Sequence, residues 1–235
     1  MATYNIDTNV KFGPLTLIDV IRLRESMKEQ WQNQTLCRVN DCVVHGTSAS
    51  HTEPLQNGDV LKIDVGVLHQ GWIGDAAWTY VFGEMAPDVK KLTDCGKASI
   101  RLGLEQLRPG KRLIHWARTV QRYVEDQCGF FLVRGLGGHG YGRTLHASPH
   151  VSNNVPERTG EWPEAQMEIQ PGMLLAVEPM LAAGSAQVLQ RGRGWPVYSA
   201  DGSQTVHYEH DVLITEDGHR VLTAGLEDIV DVITR

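Results

Sequence analysis

The sequence predicts an α+β protein, with helices grouped in mid-chain between two blocks of antiparallel strands. Three observations carry this. Residues 60–68 and 72–82 are apolar runs separated only by His69-Gln70-Gly71, the pattern of a hairpin. Residues 87–107 and 113–127 repeat apolar positions at helical spacing. From residue 173 onward the chain returns to short apolar runs punctuated by Gly and Pro.

In order, residues 1–12 are a polar lead-in, and 15–31 read as a helix capped by Thr16, with Leu17, Ile18, Ile21, Leu23 and Met27 on its apolar side. Residues 36–45 read as a strand and 47–59 as a loop rich in Ser, Thr, Gly and Pro. The hairpin 60–82 follows. Val89, Leu92, Gly96, Ile100 and Leu104 stripe the next helix, which ends at Pro109-Gly110. Ile114, Ala117, Val120 and Val124 stripe its successor, stopped near Gly129. Residues 130–134 form a short strand. Residues 135–143 hold five glycines in nine positions and read as a loop that approaches something closely. Residues 151–170 read as a polar loop, 173–180 as a strand, 186–190 with 195–198 as a hairpin, 205–215 as a long strand, and 220–223 as its returning partner. No repeat or linker divides the chain, which reads as one domain: a helical lead-in over 1–35 and a catalytic region over 36–235.

With 235 residues, 41% hydrophobic content and a formal charge of −6, the chain is an ordinary globular protein with no electrostatic case for nucleic acid or an anionic membrane. No apolar run approaches the roughly 20 residues of a membrane helix, and the start lacks the basic-then-apolar pattern of a signal peptide. Cys37, Cys42, Cys95 and Cys128 follow no disulfide framework and read as reduced thiols in a cytoplasmic protein. Cys37 and Cys42 have the look of half a zinc site, but no second pair follows.

The chemistry concentrates in a dispersed set: Asp64, Asp75, His139, Glu178 and Glu209. Asp is disfavoured inside strands, yet Asp64 and Asp75 each interrupt an apolar run. Such conflicts concentrate at functional sites, although either residue alone also reads as an edge or turn aspartate. Buried carboxylates must neutralise, pair or bind metal. Lys and Arg are scarce immediately beside these five, so divalent metal is the favoured reading, and an oxygen-rich set suits a pair of hard or borderline ions. The glycine-rich stretch around His139 matches neither phosphate-binding fingerprint.

Val39-Asn40-Asp41, Val44-His45-Gly46, Ile63-Asp64-Val65-Gly66 and Gly74-Asp75 resemble the type I methionine aminopeptidases. So do Gly138-His139-Gly140-Tyr141-Gly142-Arg143, Val177-Glu178-Pro179-Met180 and Tyr208-Glu209-His210, with the two aspartates eleven residues apart. The resemblance implies the pita-bread (creatinase/aminopeptidase-like) fold: a curved antiparallel sheet flanked by helices. It also implies two divalent ions (Mn, Fe, Co or Zn) held by Asp64, Asp75, His139, Glu178 and Glu209. In its terms Glu178 accepts and returns a proton, His146 donates to the substrate carbonyl oxygen, and His45 contacts the substrate backbone. Trp31, Leu36, Leu145 and Trp195 fall at or near the positions of the methionine pocket. The stretch before His45 is shorter than the family's, Asp75 is followed by Ala76-Ala77 in place of a threonine and a small polar residue, and Ala147-Ser148-Pro149 follows His146 in place of Glu-x-Pro. The implied activity is removal of N-terminal methionine from peptides or nascent chains. Two alternatives stay open: a metalloenzyme of the same fold acting on another small peptide (including Xaa-Pro type) or a metabolite amine, and a non-catalytic metal-binding homologue. The sequence leaves open whether the chain acts as a monomer or a homo-oligomer.

Overall fold

The computed structural model describes residues 11–12, 15–16, 35–46, 53–191 and 195–233. Strands β1 (Lys11–Phe12) and β2 (Leu15–Thr16) pair with each other. Leu15 and Thr16 therefore do not open a helix; the Gly13-Pro14 dipeptide is turn chemistry and competes with a helix start. The rest of the expected first helix lies outside the described residues.

Next come β3 (Thr35–Val39), β4 (Cys42–Val44), β5 (Val60–His69) and β6 (Trp72–Phe82). The expected strand 36–45 divides at Asn40, whose φ is 53°. Its amide donates to Asp59 Oδ1 at 2.8 Å and accepts from the Val60 N–H at 2.9 Å, which stabilises a backbone region that Asn tolerates. β5 and β6 pair antiparallel over their whole length, closed at Gln70-Gly71 with φ of 50° and 77°, the geometry favoured by twisted hairpins.

Helices α1 (Pro87–Leu104) and α2 (Leu113–Gln121) follow, the latter continued by one wider turn, Arg122–Gln127. Pro87 opens α1 where its missing N–H is no loss. Leu92, Ile100, Leu113, Trp116 and Val120 pack with Leu175, Leu181, Val206 and Val212 in the main core. Gly96 sits in mid-helix because a Cβ there would lie 2.4 Å from Tyr208 Cε2. Glycine costs the helix about 1 kcal/mol. Burying apolar side chains such as Leu92, at about 1.5–3 kcal/mol each, more than offsets it. The contact seats α1 on the segment that carries Glu209.

The remaining strands are β7 (Phe131–Leu132), β8 (Gly137–Gly140), β9 (Ala147–Ser152), β10 (Leu174–Val177), β11 (Met180–Ala182), β12 (Val188–Gln190), β13 (Val197–Ser199), β14 (Thr205–His207), β15 (His210–Ile214), β16 (His219–Val221) and β17 (Val232–Ile233). The sheets run β16-β15-β10-β8-β9, β14-β11-β7, β12-β13-β4 and β17-β6-β5-β3.

Two expected loops are thus partly strand. β8 lies within the glycine-rich stretch: a Cβ on Gly138 would fall 2.1 Å from Ala176 O, and one on Gly140 2.3 Å from Ser148 O. The glycines serve tight lateral packing between neighbouring strands rather than chain freedom. Conversely, the strands expected over 173–180 and 205–215 are each broken at their glutamate. Pro179 cannot donate to a ladder, so β10 ends before Glu178 and β11 resumes after Pro179 in another sheet. Their partners change at the same level: Val177 pairs with His210, and Met180 with His207. Glu178 and Glu209 sit side by side at this crease. The α+β class holds.

Candidate metal centre

The register of β5 and β6 sets the two aspartates. Asp64 lies opposite Ala77 and Asp75 opposite Gly66, so both project from one face as diagonal neighbours. The Asp75 N–H donates to Asp211 Oδ2 at 2.8 Å, and the Glu209 N–H to Ala77 O at 2.8 Å, which pins the crease against this hairpin. His139 projects from β8, whose backbone pairs with Ala176 of β10. Its Nδ1–H donates to Gly140 O at 3.1 Å, which leaves the Nε2 lone pair facing Asp75 Oδ2 at 3.8 Å and Glu178 Oε1 at 3.9 Å. Burial pulls the His139 pKa down to about 4, so the ring is neutral at pH 7 and ready to ligate. Ligand atoms of Asp75, His139 and Glu209 lie within 4.8 Å of one another.

Burial, with the neighbouring carboxylates adding to it, pushes Asp75, Glu178 and Glu209 well above the usual carboxylate range. Asp211, left out of the sequence reading, is raised by burial to about 7. This crowding of acids is the observation that fits a divalent ion: the set has oxygen donors, one neutral imidazole, and more carboxylates than nearby cations.

Among the described residues a cation touches this set, contrary to the expectation drawn from neighbours in sequence. Arg38 on β3 is 2% exposed and pairs with Asp64 Oδ2 through Nη2. Its Nη1 donates to His207 Nδ1 at 2.7 Å. Arginine only donates, so His207 Nδ1 is unprotonated and its proton sits on Nε2, which donates to Glu178 Oε2 at 3.0 Å. His207 lies within 4.8 Å of Glu178 and Glu209, but in this tautomer it has no lone pair to offer them. It fixes Glu178 instead. Burial and the Arg38 charge hold its pKa well below the usual value, consistent with a neutral ring. Asn153 completes the hold on Glu178, its Nδ2 donating to the main-chain O at 2.9 Å. In the sequence the only local signal for His207 is a polar residue in an apolar run. For Arg38 the signal was a charge inside the run Leu36-Cys37-Arg38-Val39.

All five expected ligands line one cavity of about 550 Å³, together with His45, His146, Leu145 and Trp195. The His146 ring is edge-on to His139 with centroids 4.5 Å apart, and the His45 ring is 5.5 Å from Trp195. His45 holds φ at 61°, an uncommon left-handed conformation, and lines the cavity. Burial lowers its pKa, and Arg38 lowers it further. Leu145 lies over Gly66, 3.7 Å from where a Cβ would stand. His150 and Met180, not singled out beforehand, also line the cavity. Trp31 lies outside the described residues. Leu36 is described only by its backbone, which pairs with Asp64.

Carboxylates and one imidazole gathered where antiparallel strands change sheets, on a fold shared with a solved structure at a TM-score of 0.73, define a pita-bread metallohydrolase. The chain belongs to metallopeptidase family M24, whose model matches residues 16–216. It is 39% identical over 185 residues to "Methionine aminopeptidase 1" of Bacillus subtilis, covering 79% of this chain and 71% of that protein. It is 36% identical over 185 residues to "Methionine aminopeptidase" of Aquifex aeolicus, covering 79% and 69%. The crystal structure of methionine aminopeptidase from Thermotoga maritima superposes with a TM-score of 0.73 at 36% identity, covering 80% of this chain and 73% of that one. No helix among the described residues is long and apolar enough to cross a membrane.

Proposed function

We propose that this chain removes N-terminal methionine from peptides or nascent chains, using two divalent ions held by Asp64, Asp75, His139, Glu178 and Glu209. One observation carries the reading. The five acidic and imidazole side chains line one cavity of about 550 Å³ whose walls include the apolar side chains of Leu145 and Trp195, a fit for a flexible thioether beside a reactive centre. The names of the 36–39% identical relatives support it.

When bound, the ions supply positive charge that acidifies water and polarises a carbonyl. Glu178 is the proton carrier. His207 holds its Oε2, so Oε1 faces the reacting centre, where it accepts a proton from water and returns it to the leaving amine. His146 donates to the carbonyl oxygen as negative charge develops there. His45, on the Trp195 side, orients the substrate backbone.

The test is methionine release from Met-Ala-Ser by reduced, anaerobically purified chain loaded with Mn(II) or Co(II), with Met-Lys peptides as poor substrates and Asp75→Ala as the inactive control. A loaded chain that releases no methionine overturns the substrate assignment.

A further inference from the structure

We propose that the Arg38 guanidinium is itself one of the cations of this centre: it holds one oxygen of Asp64, so that the second divalent ion must bind there beside a fixed positive charge. The proposal rests on the metallopeptidase reading above and adds a residue to it. Arg38 reaches Asp64 from β3, where it lies opposite Lys62 and is a diagonal neighbour of Asp64 on the same face. The side chain is 2% exposed, so it has no solvent position to swing into. Its Nη2 takes Asp64 Oδ2, which leaves Asp64 only Oδ1 for any other cation. Among the described residues Asp64 is also absent from both groups whose ligand atoms lie within 4.8 Å of one another, Asp75–His139–Glu209 and Glu178–His207–Glu209.

Arg38 is not a fully satisfied structural arginine. Its Nε is buried with no hydrogen-bond partner among the described residues. A guanidinium placed only to hold the fold is expected to use its donors, because an orphaned buried donor is costly. Here two of the three nitrogens serve the acid cluster, Nη2 directly and Nη1 through His207 and Glu178. The two ion positions are therefore unequal. The Asp75–His139–Glu209 side binds first and tightly. The Asp64 side faces a fixed positive charge and binds weakly.

Calorimetric and electron-paramagnetic titration of the purified chain with Mn(II) tests this without reference to turnover. The expected result is two steps differing by roughly 10–100-fold in affinity, the range that neighbours of metal ligands command. Arg38→Ser and the apolar Arg38→Met should strengthen the second step and close the gap, and Asp64→Asn should abolish the second step while leaving the first unchanged. Two equal steps in the wild type, or a gap that Arg38→Ser leaves intact, overturn the proposal. Far-ultraviolet circular dichroism reports whether the Arg38 variants fold. If neither does, the wild-type and Asp64→Asn titrations decide, and loss of the tight step in Asp64→Asn overturns it. A chain that binds no Mn(II) fails at the metallopeptidase reading itself, an outcome distinct from two equal steps.

Discussion

Gly138→Ala tests whether the packing of β8 sets the metal centre. The added Cβ would lie 2.1 Å from Ala176 O and 3.2 Å from Val177 Cα, against the 3.4 Å at which ordinary contact begins. The obstacle is main chain in the middle of a sheet, so β8 itself must shift by about 1 Å. Overpacking of this kind costs about 1–3 kcal/mol. For a chain of this size each kcal/mol lowers the melting temperature by about 2–4 °C, which gives a drop of about 2–12 °C. The larger effect falls on function, because His139 is the next residue and moves with the strand. A 1 Å misplacement at a reacting centre costs on the order of 100-fold, so Mn(II) affinity and turnover should fall by about 10–100-fold. Gly160→Ala is the control: its φ is 85° with nothing within 4 Å of the added atom, so only local strain of about 1 kcal/mol is expected and ion binding is untouched. Differential scanning calorimetry and Mn(II) titration of both variants give the answer. A Gly138→Ala protein that melts within 1 °C of wild type and binds Mn(II) equally well would refute the reasoning.

Metal removal should make stability depend on pH. Asp75, Glu178 and Glu209 have folded pKa values raised above their unfolded ones, so their contribution is present at low pH and lost as pH rises through the folded values, by up to ~1.4 kcal/mol per proton per pH unit. His139 and His207, whose pKa values are lowered, oppose this near pH 6, where the unfolded imidazole, with an ordinary value of about 6.5, still binds protons and the folded one does not, but the carboxylates, with Asp211 raised to about 7, outnumber them. The melting-temperature gain on adding Mn(II) should therefore grow from pH 6 to 8, and a gain that shrinks contradicts the assigned shifts. His207→Ala leaves Arg38 Nη1 and Glu178 Oε2 without their partner, a cost of about 2–5 kcal/mol readable in urea unfolding; an unchanged midpoint would show that the relay does not exist. Trp195→Ala, at a residue 62% exposed, should change stability by less than ~0.5 kcal/mol while kcat/KM for methionyl peptides falls about tenfold; equal kcat/KM removes Trp195 from the substrate pocket.

Part of this site was visible in the sequence because it broke a local rule. Asp64 and Asp75 stood out because a carboxylate inside an apolar strand needs a reason, and the hairpin that aligns them is closed by a short local turn. Glu178 and Glu209 were legible through the motifs Val177-Glu178-Pro179-Met180 and Tyr208-Glu209-His210 rather than through a broken local rule. His139 was found, but its setting was misread. Glycines normally interrupt strands, and here they permit one because Ala176 and Ser148 leave no room for a Cβ. That fact belongs to β10 and β9, not to the stretch itself. The two strand breaks were also invisible locally. Each is forced by the other across the β10–β15 and β11–β14 pairings. Arg38 and His207 were missed for the same reason, since they meet across 169 positions of sequence.

The charge balance explains why those two residues belong together. Asp64, Asp75, Glu178, Glu209 and Asp211 crowd one region, and His139 is neutral there. Among the described residues Arg38 is the cation in direct contact with this set. Without a divalent ion, folding must leave several of these acids protonated, which is why their pKa values rise. A single guanidinium is too little charge to reverse this, but it is fixed in direction. By donating to His207 Nδ1 it forces the His207 proton onto Nε2 and thereby dedicates Glu178 Oε2 to a hydrogen bond. Glu178 is left with one oxygen, Oε1, for the ion and for the proton it is proposed to carry. A carboxylate free to chelate with both oxygens would be a better ligand and a poorer base. The crease of the sheet, the buried arginine and the histidine tautomer act together on that choice, and they place it in the fold before any ion binds.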